Sequence, residues 1–182
     1  MRQKSTELDL IQANPGRKTK RKLKTIGIRA LRQEDIDEAC DLVVRLKRLN
    51  SEFDPLLKIT PGIEREARRS VRESISDQNC VILVAFQKST GKIVGLLKSM
   101  MRDRIFYEPR KEGLIIEFYI LPEFRRESLG QVLIASMVKN LEKRGADLIA
   151  AEFPSQNEIA KKFYTKLGFR SLTNVYAKSS SD

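Results

Sequence analysis

The chain has 182 residues, 41% of them hydrophobic and 32% charged, with a formal charge of +11, two cysteines and no histidine. That length suits one domain with a buried core and leaves little room for a second. Without histidine, the usual zinc ligand sets, Ser-His-Asp hydrolysis and a histidine-activated cysteine nucleophile are excluded, and two cysteines make no disulfide framework. No apolar run approaches the roughly 18 residues of a membrane span, and the polar N-terminus lacks a signal-peptide core. The sequence therefore reads as a cytoplasmic protein with no membrane partner.

Residues 1–25 hold eight Lys/Arg against two acids, concentrated in "RKTKRKLK" from Arg17 to Lys24. The expectation is a solvated, flexible tail, with contact to nucleic acid, a ribosome or another acidic partner as the alternative. It carries no interleaved aromatics for stacking on single-stranded bases. Ile26 to Leu31 reads as a short strand. A helix follows through "EDIDEACDLVVRLKRLN", where Ile36, Ala39, Cys40, Val43 and Leu46 recur at helical spacing, with acids in the first turn and bases in the last. Cys40 falls in step with that stripe and is expected to be an apolar filler. Thr60 and Pro61 predict the start of a surface helix. "VILVAF" (81–86) predicts a buried strand, "QKSTGK" a turn, and "IVGLLKSMMRD" from Ile93 the return strand of a hairpin.

"GLIIEFYIL" (113–121) is the next strand, and a helix is expected from about Ser128 to Arg144, stopped by Gly145. "DLIAAEF" (147–153) is another strand. Ser155 to Glu158 reads as a capping box that starts a helix at Gln156, running to Leu167 and closed by Gly168. The final "FRSLTNVYAKS" is strand-like. Two strand-helix pairs beside an antiparallel meander predict a mixed sheet flanked by helices, in one domain over residues 26–178 with a polar end at 179–182.

Two segments carry candidate chemistry. After Leu121, "PEFRRESLG" brings two arginines and a glycine to a helix N-terminus, whose unpaired N–H groups and dipole attract phosphate. Gly130 allows close backbone approach. In "SQNEIAKKFYTKLGF", Asn157 and Tyr164 lie seven residues apart on one helical face, next to an apolar stripe of Ile159, Phe163 and Leu167.

Together these segments resemble the GCN5-related N-acetyltransferase family. "YILPEFRRESLG" has the layout of that family's acetyl-CoA loop, and Asn157, Ala160, Tyr164, Gly168 and Phe169 match its later Asn-x-x-Ala-x-x-x-Tyr-x-x-x-Gly-Phe pattern. The resemblance spans about residues 26–178. It implies a mixed sheet of about six to seven strands, splayed between the fourth and fifth, with acetyl-CoA as cosubstrate and no metal. It also implies an acetyl transfer to a primary amine: a protein N-terminus, a lysine or a small amine.

On this resemblance, the backbone of Phe118, Tyr119 and Ile120 faces the thioester and pantetheine, with Phe118 N–H stabilising the oxyanion. The pyrophosphate falls to Arg125, Arg126, Glu127, Ser128, Leu129, Gly130 and Gln131. Tyr164 sits near the sulfur as the acid, and Asn157 touches the cofactor arm or holds the helix start. Glu152 is the expected base and Glu117 the alternative, although strand alternation points Glu117 away from Phe118. Ser128 stands where the family has its first loop glycine, so its Cβ is expected to crowd the pyrophosphate or its hydroxyl to donate a hydrogen bond and cap the helix. A homodimer is compatible with the sequence.

Overall fold

The structure, a computed structural model, describes residues 25–125 and 128–180. The predicted basic tail lies outside them except for Thr25. Five strands form one sheet in the order β1-β2-β3-β4-β5: β1 (Ile26–Ala30), β2 (Cys80–Gln87), β3 (Ile93–Asp103), β4 (Lys111–Ile120) and β5 (Leu148–Ala151). The first four pair antiparallel and β5 runs parallel to β4, so the sheet is mixed as expected. Helices α1 (Ile36–Ser51) and α2 (Ile63–Ser76) cover one face; α3 (Leu129–Lys143) and α4 (Glu158–Lys166) cover the other. Among the described residues no helix is long and apolar enough to cross a membrane.

α1 forms where its pattern predicts. Asp37 and Glu38 occupy its first turn and Arg48 its last, complementing the helix dipole. Its buried stripe includes Ile36, Ala39, Cys40, Val43 and Leu46, and burial raises the Cys40 thiol pKa, as suits an apolar filler. Each fully buried large aliphatic side chain contributes about 1.5–3 kcal/mol. The Glu38 carboxylate also accepts from Ile93 N at 2.8 Å, tying α1 to the start of β3. α2 starts at Ile63 rather than at Pro61. Gly62, at φ 74°, caps it in the left-handed region, and its carbonyl accepts from Arg65 N and Glu66 N.

α3 and α4 end by the same device. Gly145 and Gly168 take positive φ, and the following residue donates back into the last turn: Ala146 N to Leu141 O and Phe169 N to Tyr164 O, both at 3.0 Å. α4 starts at Glu158, two residues later than predicted. Its cap is Asn157, whose Oδ1 accepts from Ala160 N at 3.0 Å, and Ser155 stays in the preceding turn.

The strand count corrects the expectation of six to seven. Residues 170–178 form no strand: they lie in solvent without a neighbouring ladder, with Val175 94% and Tyr176 92% exposed. Strand-forming side chains need a partner to become a strand. β5 is likewise shorter than the predicted 147–153, because its pairing with β4 stops at Ala151.

A buried ion pair fixes the entry to α1. The Asp35 carboxylate is bound by both terminal nitrogens of Arg29, one at 2.9 Å, and accepts from Arg32 N at 2.8 Å. The Arg29 hydrogen bond, then the backbone hydrogen bond from Arg32, hold the Asp35 pKa below its ordinary value against the opposing cost of burial. Asp35→Asn is therefore predicted to lower stability at neutral pH by about 2–3 kcal/mol, measured by urea unfolding. A depressed native pKa stabilises fully above the unfolded value of about 3.9 and is lost as pH falls through the native value. The gap between wild type and variant should close only in acid.

Candidate active site

β4 is bulged: Lys98 of β3 pairs with Glu117 but Ser99 pairs with Ile115, leaving Ile116 as the extra residue. At the same place β4 leaves β5. Their ladder runs only from Glu112–Leu148 to Ile115–Ala151, and Glu152 N to Ile115 O at 3.0 Å is the last bond across it. β4 continues to Ile120, so a wedge opens between the two strands, as the resemblance implied.

The β3 side decides which amides face the wedge. Leu121 N donates to Val94 O at 2.9 Å, which makes that pair hydrogen-bonded and, by alternation, the pairs Leu96–Tyr119 and Lys98–Glu117 as well. The N–H groups of Phe118 and Ile120 consequently point away from β3, into the wedge. Tyr119 does not join them: its amide belongs to β3, and its buried ring lies beneath the Arg125 guanidinium, 5.1 Å from the centroid. Arg125 Nε donates to Ile120 O at 2.8 Å, fastening the turn after β4. That side chain is engaged in shaping the loop. Arg126 and Glu127 lie outside the described residues.

The N-terminus of α3 borders the wedge. Its first intrahelical acceptor bond is Val132 N to Ser128 O at 3.1 Å, so the amides of Leu129, Gly130 and Gln131 precede the ladder. Ser128 caps the helix in the left-handed region, at φ 60° and ψ 6°, without a capping hydrogen bond from its hydroxyl. The expected hydroxyl cap is therefore absent, and the position instead imposes the backbone conformation for which a glycine is suited. Gly130 also has a use that the sequence did not reveal. A Cβ there would come within 3.3 Å of the Phe118 and Phe163 rings, so the glycine makes room for the aromatic floor beneath the wedge.

That floor links the two segments. Phe118 and Phe163 pack at 5.7 Å between centroids, Phe163 meets Tyr164 at 5.4 Å, and Phe153 stacks on Tyr164 at 5.3 Å, while Phe169 meets it edge-on at 5.2 Å. Phe153, Phe163 and Phe169 were not singled out as site residues from the sequence; their spacing around Tyr164 was the available signal. Tyr164 is 5% exposed, and burial pushes its phenol pKa far up. The tyrosine is held protonated.

Glu152 points to the opposite face of the sheet from Tyr164. Its neighbour Phe153 lies on the Tyr164 side, and the Glu152 charge reaches Arg102. The Arg102 pKa is raised, first by its hydrogen bond to Glu112 and further by the charges of Glu112 and Glu152. Glu152 itself is exposed at the open end of β5. Glu117 is 6% exposed and bound by Lys47 Nζ at 2.9 Å, with Lys98 Nζ at 4.0 Å. Lys47 holds Oε1, while Oε2, buried behind the bulge, has no hydrogen-bond partner among the described residues.

The acetyltransferase (GNAT) family model matches residues 45–169, and the chain belongs to that family. Over 62 residues, 34% of this chain and 42% of the relative, it is 31% identical to the [Ribosomal protein bS18]-alanine N-acetyltransferase of Escherichia coli (strain K12). The matched segment thus spans about two-fifths of that relative's length. Among solved structures, the fold is similar to aminoglycoside N-acetyltransferase AAC(6')-Iy in complex with CoA, with TM-score 0.70, 16% identity, and 85% and 94% of the two chains covered. It is also similar to aminoglycoside 6'-N-acetyltransferase AAC(6')-Ih of Acinetobacter baumannii, with TM-score 0.69, 16% identity, and 85% and 98% covered.

Replacing Ser128 by glycine removes a left-handed penalty of roughly 1–2 kcal/mol. Ser128→Gly should therefore raise the melting temperature by about 2–8 °C in scanning calorimetry.

Proposed function

We propose that the protein is an N-acetyltransferase that moves the acetyl group of acetyl-CoA to a primary amine in a ternary complex, with a protein N-terminal amine as the favoured acceptor. The observation that carries this reading is the wedge: two strand amides, those of Phe118 and Ile120, aim into it beside the N-terminus of α3. The residues fit the cosubstrate. Helix-start amides and dipole suit a pyrophosphate, the Ile120 N–H suits an amide carbonyl of the pantetheine arm, and the Phe118 N–H suits the thioester oxygen.

The chemistry follows from these places. The acceptor nitrogen attacks the thioester carbon, and negative charge develops on its oxygen, where the Phe118 amide donates. A proton leaves the nitrogen for Glu152, directly or through water, from the face opposite Tyr164. The carbon–sulfur bond then breaks and the sulfur departs as CoA thiolate, which takes up a proton. Tyr164 donates a hydrogen bond to it from its aromatic cage. A thiolate whose thiol has an ordinary pKa near 8.5 is a weaker base than the phenolate of this buried tyrosine. Tyr164 therefore acts chiefly by hydrogen bonding to the developing charge, and the final proton comes by way of solvent. Asn157 holds the start of α4 through its cap to Ala160 N and so positions Tyr164.

Two features support a protein α-amine. Glu152 directly follows β5 at the wedge, a place where a carboxylate can collect the proton of an amine whose pKa is about 7.7–8.0. The E. coli relative is by name an alanine N-acetyltransferase acting on a ribosomal protein.

The test is thiol release from acetyl-CoA with peptides bearing free α-amines, lysine peptides and small amines, with products identified by mass spectrometry. Acetylated α-amines are expected. RNA binding that depends on residues 1–25, with no turnover and no response to acetyl-CoA, would instead favour a nucleic-acid or ribosome-binding module. Tyr164→Phe should lower kcat by about 10²-fold while leaving acetyl-CoA affinity unchanged in calorimetric titration. Glu152→Gln should lower the rate most at low pH, and the deficit should shrink as rising pH leaves more acceptor amine neutral.

A further inference from the structure

Lys47 carries a primary amine to the place where an acceptor would arrive. It lies near the C-terminal end of α1, and its Nζ is 2.9 Å from Glu117 Oε1, so the Glu117 side chain projects to the α1/α2 face of the sheet. The next residue, Phe118, sends its ring to the other face, onto Phe163, and its N–H into the wedge. One peptide unit therefore joins the amide that suits the thioester oxygen to a carboxylate with a lysine amine bound to it. Glu152 faces away from Tyr164, toward that same side.

The pair differs from an ordinary surface ion pair. The Lys47 side chain is 41% exposed and that of Glu117 7%, so a flexible stem leans on a fixed carboxylate. Glu117 Oε2 is buried with no hydrogen-bond partner among the described residues, where buried polar groups are ordinarily paired. The carboxylate thus has acceptor capacity to spare for a proton. Lys98 is held in another way: it is buried, donates to Ser70 Oγ at 3.2 Å and stays 4.0 Å from Glu117 Oε2. Its stem is enclosed on the α2 side and has no room to swing toward the wedge.

We infer that Lys47 is a self-acetylation site, taking the acetyl group from acetyl-CoA in the wedge of its own chain when no external amine is bound. This rests on the proposed acetyl-CoA reading of the wedge. The Lys47 ammonium passes one proton to Glu117 Oε1, and the neutral Nζ swings to about 3–3.5 Å from the thioester carbon, the distance of a near-attack geometry. The nitrogen–carbon bond forms, the carbon–sulfur bond breaks, and the sulfur leaves with its electron pair. The second proton leaves the nitrogen as the amide forms and neutralises the thiolate, while Glu117 returns its proton to water. Tethering gives this amine an advantage over every amine in solution. The product is a neutral side chain at position 47, which leaves the buried Glu117 charge without its close cation.

The full chain, incubated with acetyl-CoA and no acceptor, is followed by intact mass and peptide mapping. One acetyl group should enter at Lys47, roughly tenfold or more faster than at Lys98 or at any lysine of the chain unfolded in urea. At saturating acetyl-CoA, dilution should leave the first-order rate unchanged. Lys47→Arg keeps a cation beside Glu117 and should abolish the fast label; Glu117→Gln should slow it roughly tenfold or more, with acetyl-CoA affinity unchanged in calorimetric titration. A second readout needs no turnover: Lys47→Gln, and the purified acetylated chain freed of acetyl-CoA, should both melt below wild type. Acetylation of external amines with Lys47 unlabelled, or labelled no faster than in the unfolded chain, overturns the inference and leaves the proposed function standing. A rate that falls with dilution also overturns it, because the amine would then come from another copy. An acetylated chain that melts like the unmodified one overturns the loss of the ion pair. If acetyl-CoA neither binds nor turns over, the reading of the wedge and this inference fall together.

Discussion

One extra residue in β4 governs the rest of the structure. Ile116 enters β4 without a partner on β3, and the strand turns away from β5 at that point. A regular β4 would keep its amides in a ladder with β5. Bulged, it keeps its bonds to β3 through Glu117, Tyr119 and Leu121 and sends those of Phe118 and Ile120 into the open wedge. The bulge is held from both faces. On one, the buried Glu117 carboxylate is bound by Lys47 from α1, with Lys98 from β3 4.0 Å away; on the other, the Phe118 ring is seated on Phe163 beside Gly130. Losing Lys47 would leave the buried Glu117 charge without its close partner, so the pair favours the kink.

The same kink divides the chemistry between two faces. Tyr164 lies among three aromatic rings on the α3/α4 side, where burial keeps its proton in place. Glu152 lies on the other side, exposed and within electrostatic reach of Arg102. A dry donor and a solvated carboxylate therefore flank one opening. That separation suits a reaction in which a proton is collected where the amine arrives and negative charge is stabilised where the sulfur leaves.

Much of this was legible in the sequence. The helical spacing of Ile36, Ala39, Cys40, Val43 and Leu46 gave α1, and the glycines at 145 and 168 gave the ends of α3 and α4, because each rests on local chemistry. The junction after Leu121 and the Asn157 to Tyr164 spacing were joined into one candidate site by their resemblance to the family, each being a modest signal alone. What the sequence left hidden depends on pairing between distant segments. Nothing local to Val175 and Tyr176 says whether a ladder awaits them, so a strand-like segment was read as a strand. Nothing local to Ser128 shows that its backbone turns left-handed and that its hydroxyl makes no cap. Nothing local to Gly130 shows that the rings of Phe118 and Phe163, far apart in sequence, crowd the place of a side chain there.

The account rests on the amides of Phe118 and Ile120 being free of the sheet and available to an acyl-CoA. Amide hydrogen exchange measured residue by residue, with and without acetyl-CoA, tests this most directly. Without the ligand both amides should exchange far faster than Tyr119, which is bonded to β3; with acetyl-CoA, both should become protected together with Leu129, Gly130 and Gln131. Equal protection of Phe118 and Tyr119 before the ligand is added, or no change at Phe118 and Ile120 afterwards, would contradict it.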